Sequence, residues 1–334
     1  MNTLGLSMLV RFGCPCSKET LYVNGQKYYI LEKIGEGGFS TVSLIENVNS
    51  KKKYALKKIT CHGREDQKSA LQEVEYHKQF QHPNILTCID YEIVMSSESI
   101  LNQSSEVYIV LPYLKGTLAH ELELRSIARQ HMQPLEIMKI FIQICEGVKV
   151  FHDAQPEPLA HRDLKTANIL LNDDNTPVIM DLGSMAPATV EVTNSTDAQR
   201  LQDIASERCS MAYRAPELFN VESSCLIDQR TDIWVRNFFG MFVYAMCYFK
   251  SPFDIVYERG DSVALAVISG SISFPEPEIY PKEMHELILF MLRVNPMERP
   301  YIYSVIDKAI DLLDNFKSNP RIVDVNSYSD SVIT

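Results

Sequence analysis

Hydrophobic positions along the chain change period about a third of the way through. From Tyr28 onward, short apolar runs are punctuated by glycine, and Val42-Ser43-Leu44-Ile45, Tyr54-Ala55-Leu56-Lys57 and Val107-Tyr108-Ile109-Val110-Leu111 read as strands, the last breaking at Pro112. One helical stretch interrupts them, Ser69 to His77. Farther on the helical period dominates. Ile137, Ile140, Phe141, Ile144, Val148 and Phe151 place one apolar face along residues 134–153, which predicts a core helix. Phe238 to Phe249 is the most apolar stretch, but it is about a dozen residues long where a membrane helix needs about 20, so it predicts a buried helix instead. After about Phe316 periodicity fades into a polar tail that reads as disordered.

The densest candidate chemistry lies in residues 161–183. Two apolar runs, ending at Leu171 and starting at Val178, flank the turn Asn172-Asp173-Asp174-Asn175 and predict a two-strand hairpin. Its ends lie side by side, which draws Asp163, Lys165, Asn168 and Asp181 into one small volume. Oxygen donors of that kind suit Mg²⁺, which binds through a few carboxylates, waters and substrate phosphates. In the strand-rich part, Gly35-Glu36-Gly37-Gly38-Phe39-Ser40 leaves backbone amides open to anionic oxygens with no Cβ in the way. A dinucleotide-binding loop has related spacing, but it must open a helix, and here a strand pattern follows. A plain hairpin turn is the simplest alternative.

Composition narrows the class. With 334 residues the chain exceeds a single core, and its 46% hydrophobic and 22% charged content is that of a soluble globular protein. The net charge of −11, with acidic residues scattered, argues against a nucleic-acid partner. The 8 cysteines lack the repeated close spacing of a disulfide or zinc framework and read as reduced thiols of a cytoplasmic protein. Gly13-Cys14-Pro15-Cys16-Ser17 matches an acylation pattern, although Gly13 is internal, where myristoylation at the initiator position cannot reach it. Cys14 and Cys16 are candidates for acyl chains that would put the chain in peripheral contact with an internal membrane, two chains anchoring where one is marginal. A disordered tail is the plainer expectation.

Taken in order, these motifs resemble those of eukaryotic protein kinases. His161-Arg162-Asp163-Leu164-Lys165-Thr166-Ala167-Asn168 is similar to the catalytic loop and Asp181-Leu182-Gly183 to the metal-binding triplet, with Leu in place of Phe. The glycine stretch resembles the nucleotide loop, with Ser40 in place of its third Gly, and Tyr54-Ala55-Leu56-Lys57 the strand whose lysine grips phosphates. The match covers roughly residues 27–315. Closer up, Met180-Asp181-Leu182-Gly183-Ser184-Met185, Ser210-Met211-Ala212-Tyr213-Arg214-Ala215-Pro216-Glu217 and Gly260-Asp261-Ser262-Val263-Ala264 look like the Numb-associated kinase family, an acylated member of which carries Gly-Cys-x-Cys at its true start.

The resemblance implies an α+β, two-lobed kinase fold: a flexible tail over 1–26, a small β-rich lobe with one main helix over 27–113, a larger helical lobe over 114–316 and a disordered tail over 317–334. It implies ATP and Mg²⁺ as cofactors, protein substrates, and γ-phosphoryl transfer to a serine or threonine hydroxyl. Asp163 would accept the hydroxyl proton and Lys165 steady the transferring phosphate. Asn168 and Asp181 would hold the metal. Gly35, Gly37, Gly38, Val42 and Lys57 would surround the nucleotide, with Glu73 aligning Lys57, and Pro112 and Leu114 would meet the adenine edge. Thr189, Thr193, Ser195, Thr196, Ser206 and Ser210 are hydroxyls of the activation segment, which a phosphate opposite Arg162 would order. Ser210 would be structural, and Glu217 would form a buried pair with Arg299. Asp232 would open an apolar helix and fasten the catalytic-loop backbone, but Arg236 and Asn237 interrupt that helix, which leaves a non-catalytic pseudokinase scaffold as the alternative.

Overall fold

The computed structural model describes residues 19–95, 104–208, 215–234, 238–270, 272–319 and 325. The expectations at Cys14 and Cys16, at Ser210, and at Arg236 and Asn237 lie outside the described residues. The chain forms two compact units, Met1–Ala70 with Cys88–Tyr113 and Leu71–Thr87 with Leu114–Thr334. The first is a sheet and the second mainly helices, the α+β architecture that the resemblance implies.

The sheet unit has strands β1 (Thr20–Val23), β2 (Gln26–Glu36), β3 (Ser40–Asn47), β4 (Lys53–Cys61), β5 (Asp90–Met95) and β6 (Ser105–Pro112), in the order β1-β2-β3-β4-β6-β5 with every neighbour antiparallel. It starts earlier than the expected boundary at residue 27. Asn24 and Gly25 both have positive φ, +46° and +76°, and make the tight turn that pairs Val23 with Gln26. Asn24 also reaches the opposite edge strand: its amide donates to Glu92 Oε2 at 2.8 Å and its Nδ2 to Asp90 Oδ1 at 2.6 Å and to the Tyr91 carbonyl at 2.9 Å. The two edges are thereby tied together, and Val23, Tyr28, Ile45, Leu56 and Val110 form a core on one face.

Helix α1 (Arg64–Gln79) begins in the first unit, and from Leu71 its residues belong to the second. The segment after it is bonded to the hairpin of β9 (Ile169–Leu171) and β10 (Pro177–Ile179). Ile179 N donates to the Asn84 carbonyl at 2.8 Å, Leu86 N to the Ile179 carbonyl at 2.8 Å, and Asn84 Nδ2 to the Pro177 carbonyl at 2.8 Å. The hairpin itself is as predicted, Leu171 opposite Pro177, with Asn172 Oδ1 accepting from the Asp174 and Thr176 amides to close the turn.

The helical unit is built on α3 (Pro134–His152), which follows α2 (Leu118–Ala128) and buries Ile137, Ile140, Phe141, Ile144, Val148 and Phe151 as its periodicity requires. The polar stretch after Gly183 holds a helix that its composition hides, α4 (Ser195–Arg208), seated by Ala198, Leu201 and Ala205. Then come α5 (Arg230–Trp234), α6 (Phe238–Tyr248), α7 (Pro252–Glu258), α8 (Val263–Ser269), α9 (Lys282–Met291) and α10 (Ile302–Ser318). The buried α6 was expected. Gly240 lets it approach α9 closely, since a Cβ there would lie 2.5 Å from Leu292 Cγ and 3.0 Å from the Ile288 carbonyl oxygen. No helix among the described residues is long and apolar enough to cross a membrane. The 317–334 segment is not uniformly tail, for α10 runs to Ser318, and Val325 is buried with its amide on Gln133.

Candidate active site

A buried carboxylate organises the loop that carries Asp163. Asp232, at the start of α5, is fully buried and accepts from His161 N at 2.8 Å, from Arg162 N at 3.1 Å and from His152 Nε2 at 3.2 Å. Burial alone would raise its pKa; the hydrogen bond and charge of His152 and the His161 amide outweigh that and hold the carboxyl below its ordinary value. Two backbone amides on one side chain fix Arg162 in the left-handed region, φ +62°, a conformation that a non-glycine residue keeps only under such constraint. Its guanidinium donates to the Pro187 carbonyl at 2.7 Å.

His161 is completely buried, and its tautomer follows from its neighbours. Nδ1 accepts from the Asp163 amide at 3.2 Å, so the proton sits on Nε2, 3.2 Å from the Met180 carbonyl. The ring thus joins the Asp163 loop to the residue before Asp181. Ser184 Oγ adds a bond to the His161 carbonyl at 2.9 Å, and Met180 N donates to the Asn168 carbonyl at 3.0 Å.

Three of the expected site residues meet directly. Asp163 Oδ2 lies 3.1 Å from Lys165 Nζ and 2.9 Å from Asn168 Nδ2, and the same Nδ2 donates to the Asp163 carbonyl at 2.7 Å. With its nitrogen committed twice, the Asn168 amide is left with its oxygen as the outward donor. Asp181 stands beside Met180 with φ +63° and begins a short turn, Leu182–Ser184, whose Leu182 is buried. Glu73, itself buried, comes close to this turn: a Cβ on Gly183 would meet Glu73 Oε2 at 2.8 Å, so a side chain there would displace the carboxylate. Among the described residues no cluster of three or more His, Cys, Asp or Glu side chains could hold a metal. The Asn168 carboxamide oxygen and the Asp181 carboxylate are oxygen donors of the kind that fits Mg²⁺, which takes its remaining ligands from water and phosphate.

In the sheet unit, Gly35, Val42, Lys57 and Ile109 are cross-strand neighbours in one row of β2, β3, β4 and β6, which places Lys57 on the same face as Val42 and the glycine turn. Gly37 N donates to the Ser40 carbonyl at 2.8 Å and closes the turn. A Cβ on Gly38 would meet nothing within 4 Å among the described residues. Pro112 ends β6 opposite Tyr54, and Leu114 follows in the second unit, both half-buried.

Deeper in the helical unit, Arg299 is fully buried and forms the expected pair with Glu217, Nη1 to Oε1 at 2.9 Å and Nη2 to Oε2 at 3.1 Å, with further bonds to the Arg230, Arg293 and Val294 carbonyls. Reasoning from sequence passed over His152 and His77. The signal for His77 was its place one helical turn after Glu73.

A catalytic loop, a metal-binding turn and a glycine-turn sheet define a phosphotransferase of the kinase type, and the protein kinase domain family matches residues 28–309, so the chain belongs to that family. It is 41% identical over 290 residues to serine/threonine-protein kinase 16 of Rattus norvegicus, covering 86% of this chain and 91% of that protein. The Homo sapiens protein of the same name is 40% identical over the same length. A more distant relative, serine/threonine-protein kinase ppk13 of Schizosaccharomyces pombe, is 30% identical over 329 residues, with 89% of this chain and 93% of that protein covered.

Proposed function

We propose that this chain, a serine/threonine protein kinase, moves the γ-phosphoryl of ATP to a protein hydroxyl with Asp163 as the group that accepts the hydroxyl proton. The observation that carries the assignment is the convergence of Lys165 Nζ and Asn168 Nδ2 on one Asp163 oxygen, at 3.1 and 2.9 Å. A carboxylate fixed in this way keeps its orientation without rearranging during reaction, and phosphoryl transfer depends mostly on positioning and electrostatics. Lys165 neutralises charge developing on the transferred group. Asn168 and Asp181 hold Mg²⁺, which when bound offsets the phosphate charge. Lys57, with Glu73 as its aligning carboxylate, and the amides around Gly35, Gly37 and Gly38 take the phosphates, with Val42 over the base and Pro112 and Leu114 at its edge. All of these residues are present, and this favours catalysis over a pseudokinase scaffold.

Within the kinases the reading extends to the Numb-associated branch, supported by Met180-Asp181-Leu182-Gly183-Ser184-Met185 and the Ser210–Glu217 stretch. Acyl chains on Cys14 and Cys16 would give a cytoplasmic enzyme peripheral attachment to an internal membrane. A palmitate-exchange assay in cells tests this, and absence of label on both cysteines removes it. For the chemistry, Asp163→Ala is expected to lower phosphate transfer by at least about 10³-fold with ATP affinity within about threefold of the parent. Equal turnover by mutant and parent contradicts the assignment.

A further inference from the structure

His77 lies on α1 one turn beyond Glu73, is 0% exposed, and has not yet been given a role. Its Nδ1 is 2.5 Å from the Leu86 carbonyl oxygen. A carbonyl only accepts, so Nδ1 carries the proton. In the neutral ring Nε2 is then a bare lone pair. It has no hydrogen-bond partner, and Glu73 Oε1 stands 3.7 Å away. The ring thus meets that carboxylate from its own helix and, from the segment packed against it, the Leu86 carbonyl.

We propose that His77 is a positioning residue for Glu73: its protonated Nδ1 fastens this turn of α1 to Leu86, and its Nε2 lone pair turns the carboxylate away from the ring towards Gly183. The inference rests on the reading of Glu73 as the carboxylate that aligns Lys57 for ATP. Leu86 is itself bonded to Ile179, two residues before Asp181, so the His77 ring links the turn bearing Glu73 to the strand that leads to Asp181. Room for the carboxylate comes from Gly183, where a Cβ would stand 2.8 Å from Glu73 Oε2.

The test compares kcat/KM for ATP at pH 8 in the full chain, His77→Asn and His77→Leu. Asn keeps an N–H for Leu86. His77→Asn is expected within about threefold of the parent. His77→Leu loses the anchor and is expected about tenfold lower, in KM for ATP more than in kcat. A loss in His77→Asn as large as that in His77→Leu overturns the proposal, as does an unchanged KM in His77→Leu. If the variants fail to fold, ring ¹⁵N shifts of the parent decide: the Nδ1–H tautomer at pH 8 supports the proposal, and the Nε2–H tautomer overturns it. Lack of phosphate transfer by the folded parent at pH 8 would instead defeat the kinase assignment, and the ring tautomer would still judge His77.

Discussion

Replacing Asp232 with Asn changes one atom at the most constrained point of the helical unit. Both carboxylate oxygens are acceptors: Oδ1 from Arg162 N at 3.1 Å, Oδ2 from His161 N at 2.8 Å and His152 Nε2 at 3.2 Å. An amide can offer one oxygen. Its better placement keeps the bonds at the Oδ2 position and sets an NH₂ against the Arg162 N–H, which leaves two buried donors unsatisfied at about 1–3 kcal/mol each. The expected loss is about 2–5 kcal/mol, a large share of the roughly 5–15 kcal/mol that holds a domain together. At roughly 2–4 °C per kcal/mol for a domain of this size, the melting temperature should fall by about 5–15 °C. Activity should fall too, because Arg162 keeps its φ of +62° only while its amide is held, and its relaxation moves Asp163. We expect kcat to drop about tenfold or more with KM for ATP nearly unchanged. The pH dependence has a definite sign. The carboxyl titrates lower in the folded chain than in the unfolded one, so its stabilisation is complete above about pH 4 and is lost as pH falls below that. The gap between parent and variant should therefore close in acid. Calorimetry and steady-state kinetics measure all three; a melting temperature within about 1 °C of the parent together with kcat within about twofold refutes the reasoning.

Three further outcomes are expected. Glu217→Gln removes the charge opposite fully buried Arg299 and should cost about 3–5 kcal/mol in urea unfolding; a cost below about 1 kcal/mol would mean that the Arg230, Arg293 and Val294 carbonyls suffice for the guanidinium. Gly240→Ala puts a methyl 3.0 Å from the Ile288 carbonyl oxygen and should destabilise by about 1–3 kcal/mol without changing KM for ATP. His285 is buried, stacked on Phe274 with centroids 4.0 Å apart and bonded to the Tyr248 hydroxyl at 2.8 Å, and desolvation lowers its pKa. The unfolded chain binds that proton more readily, so stability is complete above about pH 6.5 and declines as pH drops towards the folded value. His285→Gln should flatten that decline, and an unchanged slope of melting temperature against pH between 7 and 5 would count against it.

Local spacing carried much of this molecule. The hairpin at 169–179 follows from two apolar runs around Asn172, and α3 from six apolar residues at helical intervals, because turn chemistry and amphipathic faces are properties of neighbouring residues. The helix α4 was missed although Ala198, Leu201 and Ala205 are spaced for it; a polar composition masked a narrow buried stripe. The first strand was missed for another reason. Its turn is held by Asn24 reaching Asp90, Tyr91 and Glu92, partners more than sixty residues away that no local pattern connects.

What the amino-acid order determined by itself was the inventory of reacting groups and their place on strand, helix or turn: Lys57 on a strand beside a glycine turn, and Asp163, Asn168 and Asp181 at the ends of one hairpin. What only the tertiary structure decided was which groups restrain them. His152 joins the loop amides on Asp232 from 80 residues away, a partner the resemblance did not supply, and His77 faces Glu73 with a proton already committed to Leu86. A side chain's bonding capacity is written in its residue type, but its direction and its protonation are set by whichever atoms the packed chain brings against it.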